Sequence, residues 1–156
     1  MTSQFNLCPG ETNDTPQHPY AELVCAMLYI ARSTRPAILY SVSVLCRFLK
    51  TFTEEHWNAA IRILRYLQHS TNIHLKYTCQ PNAKPLELWC DSDLGGEDLL
   101  VSKGCCTSGA IIFCFVFCFG NPVDWACQKQ RDVSLSSTEA EYKQLTYGFK
   151  LTWSFN

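Results

Sequence analysis

One segment limits the possible folds more than any other. Ala110 to Phe119 reads AIIFCFVFCF, ten residues without a charge. That is about half of the apolar length a helix needs to cross a bilayer, so the run is no membrane span. It is rich in β-branched and aromatic residues, and Gly120-Asn121-Pro122 ends it. Such a run reads as a buried strand.

The composition agrees with a folded chain. Hydrophobic residues make up 47% of the 156 positions and charged residues 17%. There is enough apolar surface to offset chain entropy, which argues against disorder. A length near 150 is a prior for one domain. The low charge points to a missing partner segment or to poor solubility. Net charge is −1, which excludes the overall basic field of a free nucleic-acid binder but leaves room for a local basic patch. The chain has 10 cysteines and no Cys-x-x-Cys. Zinc is therefore poorly supported, and Cys114 and Cys118 read as small buried hydrophobes. Met1 to Asn6 carries neither a basic nor an apolar signal region. The expectation is reduced thiols in an intracellular protein, cytoplasmic or nuclear.

Around the apolar run, the chain divides by its periodicity. Residues 1–18 are a polar leader. Residues 19–70 are helical. Leu23, Met27 and Ile30 mark one face of a first helix, which Thr34-Arg35-Pro36 breaks. Ile38, Val42, Leu45 and Leu49 mark a second. Thr51-x-x-Glu54 fits a capping box for a third, with Trp57, Ile61, Leu64 and Leu67 as its stripe. Arg62 and Arg65 lie off or at the border of that stripe, where they meet either solvent or phosphate. From residue 71 the period changes. Ile73, Leu75 and Tyr77 alternate with polar residues and predict a strand. Further strands are expected at Leu86–Asp91, at 109–119 and at Val123–Cys127, the last two joined through Gly120-Asn121-Pro122. Ser136 opens a final helix. Three helices, antiparallel strands and a helix make an α+β or α/β fold.

Two acidic places are able to carry chemistry. Asp91 stands at a strand end, followed by Ser92-Asp93-Leu94-Gly95-Gly96; an ordinary polar turn explains this equally. Asp93 shares a face with Asp91 only if the strand continues to it. Glu139 and Glu141 stand at a helix start. With Ser136 as N-cap, Glu139 closes a capping box, and Thr138-x-x-Glu141 offers a rival. Glu141 lies on a different face from Glu139. A carboxylate pair such as Asp91 and Glu141 suits Mg²⁺, a hard ion that prefers oxygen and keeps substrate phosphates in its shell. Two such ions can activate water against a phosphodiester, but holding two takes more carboxylates than this pair. Ser136 and Ser137 have no His near them in sequence, and no phosphate or dinucleotide loop is present.

Several segments together resemble one family. Pro19-Tyr20-Ala21-Glu22-Leu23-Val24, Met27 to Ala31, Thr34-Arg35-Pro36, and His56-Trp57-Asn58-Ala59-Ala60 with Ile63 to Leu67 resemble the stretch after the polymerase core in copia-type retrotransposon Pol polyproteins. Asp91-Ser92-Asp93, Thr107-Ser108-Gly109, Gln128-Lys129-Gln130 and Leu135 to Tyr142 resemble the start of that family's ribonuclease H domain. The order is the family's, over residues 19 to about 150, and the last motif is the most specific.

The resemblance implies an RNase H-like fold, a mixed sheet that begins as a three-stranded meander and carries flanking helices. It implies Mg²⁺ as cofactor and an RNA–DNA hybrid as partner, with the remainder of a Pol polyprotein around the chain. Asp91 maps to the first metal-binding acid and Glu141 to the helix acid, with Glu139 its non-catalytic neighbour. Lys129 and Arg131 stand where backbone phosphate is met, or in a solvated loop. The family's third and fourth acids would follow Asn156, so the chain is expected to be inactive alone, with 71–156 a partial domain. The alternative is a domesticated, non-enzymatic module that binds nucleic acid or protein. Leu94 replaces the family's tryptophan. The loop from Asp93 to Thr107 and the strand after it are longer than the pattern. Lys143 and Gln144 stand where the family prefers apolar or small residues.

Overall fold

The computed structural model describes residues 17–93, 110–130, 134 and 136–153. These fall into two compact units. Residues up to His74 belong to the first, and residues 75–93 and 110–153 to the second.

The first unit is helical. Helix α1 spans Tyr20–Ser33. Its buried face is Tyr20, Val24, Met27 and Ala31. The predicted face is thus turned by one position: Met27 is common to both, Leu23 is half-buried and Ile30 exposed. Ala31 is small, so it takes the inner place where Ile30 would crowd a neighbouring helix. Thr34 ends the helix, and Pro36 opens a short 3₁₀ turn over Pro36–Ile38, as the break at Thr34-Arg35-Pro36 requires. Helix α2 spans Leu39–Cys46 and buries Leu39, Val42 and Leu45. Phe48, not the predicted Leu49, completes that side. The Tyr20 hydroxyl donates to Leu45 O at 3.0 Å, and its ring stacks on Phe52. Burial pushes that phenol well above the usual tyrosine range, with the Cys46 thiol adding to it.

Helix α3 spans Glu54–His69. Its N-cap is Thr53 and not Thr51, and the reciprocal partner is His56 and not Glu54. The Thr53 N–H donates to His56 Nδ1 at 3.1 Å. This register sinks His56, Ala59 and Ala60 into the core. The expected stripe lies outside it: Trp57, Ile61 and Leu67 are half-buried, and Leu64 is exposed. Two adjacent alanines allow a close helix approach that the bulkier stripe would not. Arg62 and Arg65 are exposed. At the far end, the Arg35 guanidinium donates to Ser70 O at 2.6 Å.

The second unit is an antiparallel sheet with a helix against it. Strands β1 (Leu86–Asp93), β2 (Ile111–Cys118) and β3 (Asn121–Lys129) pair in the order β1-β2-β3. The apolar run is the central strand, which accounts for its lack of polar residues. Strand β1 continues to Asp93, two residues past the expected end, so the condition for positions 91 and 93 to share a face is met in the backbone. The turn into β3 uses Phe119 and Gly120 alone, with φ of 48° and 76°. Asn121 and Pro122, predicted as part of that turn, belong to β3. Positive φ at both central residues is the signature of a type I′ hairpin, whose twist matches that of the strands. The register slips between Val116 and Phe117, opposite Pro122 to Asp124. A bulge on an outer strand is a place where proline is tolerated.

The strand predicted at 73–77 is not formed; residues 73–80 are without regular structure. Ile73 and Tyr77 are both exposed, so the alternation has no face to bury. The Asn121 amide pairs instead with the Thr78 peptide, accepting from its N–H at 2.8 Å and donating to its O at 3.0 Å. Helix α4 spans Ser137–Trp153 and closes the described chain. The whole is a mixed α/β fold with an N-terminal helical segment. No helix among the described residues is long and apolar enough to cross a membrane.

Candidate functional site

The two acids stand on elements that touch. Asp91 lies on β1, an outer strand, directly opposite Phe113 in the register. Glu141 lies near the start of α4. Both are exposed.

The start of α4 is fixed by polar groups. Ser136 Oγ accepts the N–H of Glu139 at 3.1 Å, so Ser136 is the cap and the rival box at Thr138 falls inside the helix. The Glu139 carboxylate meets Lys143 Nζ at 2.8 Å. This gives Glu139 a local structural role and leaves Glu141 on another face. Gln130, just past β3, is buried and donates from Nε2 to Ala140 O at 2.9 Å. The Ser134 hydroxyl donates to Gln130 Oε1 at 2.7 Å. Lys143 Nζ donates in turn to Ser134 Oγ at 3.4 Å.

Further along, Gln144 is buried and donates to Phe113 O at 3.0 Å. One backbone unit, Phe113, is therefore paired with Asp91 and bonded to the residue three places after Glu141. At Gly148 the helix lies on β1: a Cβ there would stand 2.8 Å from both Cys90 Sγ and Leu88 Cδ2. Ala140, Gln144 and Gly148 thus form the inner face at a spacing of four. Lys143 and Gln144 look out of place beside the family pattern. In the structure one is paired to Glu139 and the other to the sheet.

Strand alternation fixes where Asp91 leaves the sheet. Leu88 and Cys90 face α4, so Asp91, between them and the strand end, leaves on the opposite side with Trp89 and Phe113. Glu141 belongs to the helix on the first side. Hard carboxylate oxygens suit Mg²⁺ in kind. They do not suffice in number, because among the described residues no three His, Cys, Asp or Glu side chains are placed to hold a metal ion. No metal-dependent step is assigned to these residues alone. Lys129 ends β3 and is half-buried. Arg131 lies outside the described residues.

Sequence reasoning missed Ser134, Gly148 and the bonding role of Gln130. The spacing of four from Ala140 through Gln144 to Gly148 was the available signal. Gln130 was marked only as the last residue of the Gln128-Lys129-Gln130 motif, without its structural role, and nothing in the sequence marked Ser134.

The chain is similar to several known proteins. It is 38% identical over 129 residues to the secreted RxLR effector protein 161 of Plasmopara viticola, covering 82% of this chain and 84% of that one. It is 33% identical over 153 residues to the retrovirus-related Pol polyprotein from transposon TNT 1-94 of Nicotiana tabacum, covering 94% of this chain. It is 39% identical over 127 residues to the corresponding polyprotein from transposon RE1 of Arabidopsis thaliana, covering 81% of this chain. The matched segment is 11% of the first polyprotein and 8% of the second. No protein-family model matches the chain, and no solved structure matches it.

Proposed function

The chain belongs to the retrovirus-related Pol polyproteins of copia-type transposons, and from that premise we propose that its second unit is the opening part of a ribonuclease H domain. The observation that carries this is an arrangement. A three-stranded antiparallel meander is followed by one helix laid against it, with an acid on the first strand and another near the helix start. In this reading Asp91 and Glu141 each bind magnesium, and because they leave opposite sides of the sheet, other carboxylates of the polyprotein must complete the shell at each. Bound magnesium would supply the activation of water and the neutralisation of phosphate charge. The substrate would be the RNA strand of an RNA–DNA hybrid. Lys129 and Arg131 would meet its backbone. Two exposed carboxylates do not complete such a site, so this chain alone is expected not to cleave.

The test is binding of a short RNA–DNA hybrid with and without Mg²⁺, for the wild type, Asp91→Asn and Glu141→Gln. With Mg²⁺ the wild type should bind most tightly. Without it the order should reverse, because an unneutralised carboxylate repels phosphate. Binding indifferent to the ion and to both substitutions overturns the reading. Robust cleavage by the wild type, lost in Asp91→Asn, overturns the claim of inactivity.

A second reading has one observation behind it. The effector relative is matched over 84% of its own length, so there the segment is most of a small protein. The segment would then serve as a non-enzymatic binding module for nucleic acid or protein. Hybrid binding that needs neither Mg²⁺ nor the two acids favours it.

A further inference from the structure

Cys90 and Cys114 are directly opposite each other on β1 and β2, with their sulfurs 3.3 Å apart. Opposite residues of an antiparallel pair have Cα atoms about 4.5–5.5 Å apart. This lies within the span of about 4.4–6.8 Å that a disulfide bridges. We propose that Cys90 and Cys114 are a reversible dithiol–disulfide pair that latches β1 to β2 beneath α4. The proposal does not depend on the ribonuclease reading.

The two thiols are unequal in a way that orders the chemistry. Cys114 is wholly buried, and Cys90 is half-buried on an outer strand. Burial, reinforced by the neighbouring Cys90 thiol, pushes the Cys114 thiol up to about 12, while the Gln144 amide pulls weakly the other way. Cys114 is therefore a poor first nucleophile, since the thiolate is the reactive form. Cys90 is the entry point. Gly148 lets the helix rest on Cys90 Sγ, so the pair is roofed on one side and approached from the strand edge.

The co-reactant is a low-molecular-weight disulfide. The Cys90 thiolate attacks one of its sulfurs, a mixed disulfide forms, and one small thiolate leaves. Cys114, losing its proton, then attacks the Cys90 sulfur. The Cys90–Cys114 bond forms and the second small thiolate leaves. The protein gives up two electrons and two protons, and the reagent disulfide becomes two thiols. The second step needs only that two touching sulfurs close to a bond of about 2.0 Å.

The folded chain is incubated with oxidised glutathione, and its cysteine linkages are mapped by peptide mass spectrometry without reduction. A peptide linked through Cys90 and Cys114 is expected, together with a rise in Tm. Reduced glutathione should reverse both. Cys114→Ser should trap glutathione on Cys90 at about tenfold the wild-type level, because the resolving thiol is gone. Cys90→Ser should leave Cys114 unmodified. If Cys114→Ser does not fold, Cys114→Ala gives the same reading. Equal Cys90 adduct in the wild type and the Cys114 variant overturns the proposal. So does a Cys90 that stays unmodified or pairs with another cysteine.

Discussion

Each unit secures the start of a helix with a hydroxyl at the cap, and the first adds an imidazole. In the first, the backbone N–H of Thr53 is taken by an imidazole nitrogen, His56 Nδ1. In the second, the backbone N–H of Glu139 is taken by a hydroxyl, Ser136 Oγ. The imidazole is fully buried, and its Nε2 has no hydrogen-bond partner among the described residues. The buried polar groups of the second unit, Gln130, Ser134 and Gln144, are each hydrogen-bonded and carry no charge near neutral pH. The first unit therefore rests on a group that titrates. The second rests on groups that do not, together with one close approach at Gly148. The two should fail under different stresses: acid for one, a change of shape for the other.

The largest effect is expected at Gly148. Gly148→Leu places side-chain carbon where Cys90 Sγ and Leu88 already stand. Overpacking of this kind costs about 2–3 kcal/mol. Hydrogen exchange should quicken in α4 and β1 and stay unchanged in α1 to α3. Equal loosening of both units would erase the contrast between them. Unchanged protection of α4 would show that the close approach is not a constraint.

His56 comes next. Removing its ring in His56→Ala deletes half of a capping arrangement and opens space beside Phe48, for a loss of about 2 kcal/mol. Burial holds the imidazole below its ordinary value of 6.5, and Glu55 opposes this more weakly. The folded state therefore favours the neutral ring. Its contribution is present in full above the unfolded value. Below that, the unfolded chain takes up the proton first, and stability is lost as pH falls through the folded value. Protection in the first unit, taken relative to the intrinsic base-catalysed exchange rate, should fall as pH drops from 7.5 towards 5, and His56→Gln should flatten that dependence while keeping an acceptor at the cap. A second unit that follows the same curve would break the comparison.

These two residues also mark how far the sequence could be read. The apolar run specified a buried strand because its β-branched and aromatic residues and its Gly120-Asn121-Pro122 end favour one, and its central position came only with the pairing. The Ser136 cap and the strand ending in acid were readable for a similar reason: each is local. The faces of α1 and α3 were read by hydrophobicity and came out turned, because the structure prefers Ala31, Ala59 and Ala60 at close helix contacts. Size decided there, and size matters only once a neighbour is in place. His56 as a cap partner replaced Glu54 because burial favours a neutral acceptor over a carboxylate. The strand at 73–77 failed because alternation specifies a strand only where one face is covered. Of the candidate site, the two acids were legible in sequence. The Gln144 bond that fixes the helix level against Phe113 was not.

A smaller loss separates the two caps. Ser136→Ala removes one acceptor at an exposed helix start and should cost about 1 kcal/mol. The loss should be the same at pH 5 and pH 7.5, because no titrating group takes part in that bond. Thermal unfolding at the two pH values checks this. A cost that changes with pH would couple this cap to the Glu139–Lys143 pair and remove the contrast with Thr53.

The smallest effect has the opposite sign. Phe119 holds a φ of 48° at the first position of the hairpin turn and is 54% exposed. A side chain other than Gly, Asn or Asp in that conformation costs about 1–2 kcal/mol, and the ring regains little of it by burial. The bonds made at this residue are backbone ones: its N–H donates to Pro85 O at 3.3 Å, and its O accepts from Asn121 Nδ2 at 3.0 Å. Phe119→Asn keeps both and gives Asn-Gly, the pair best suited to a type I′ turn. The second unit should gain about 1 kcal/mol, read as slower exchange in β2 and β3, with the first unit unmoved. A loss instead would mean that the ring is held by a contact beyond the described residues. The second unit's weakest joint would then lie elsewhere.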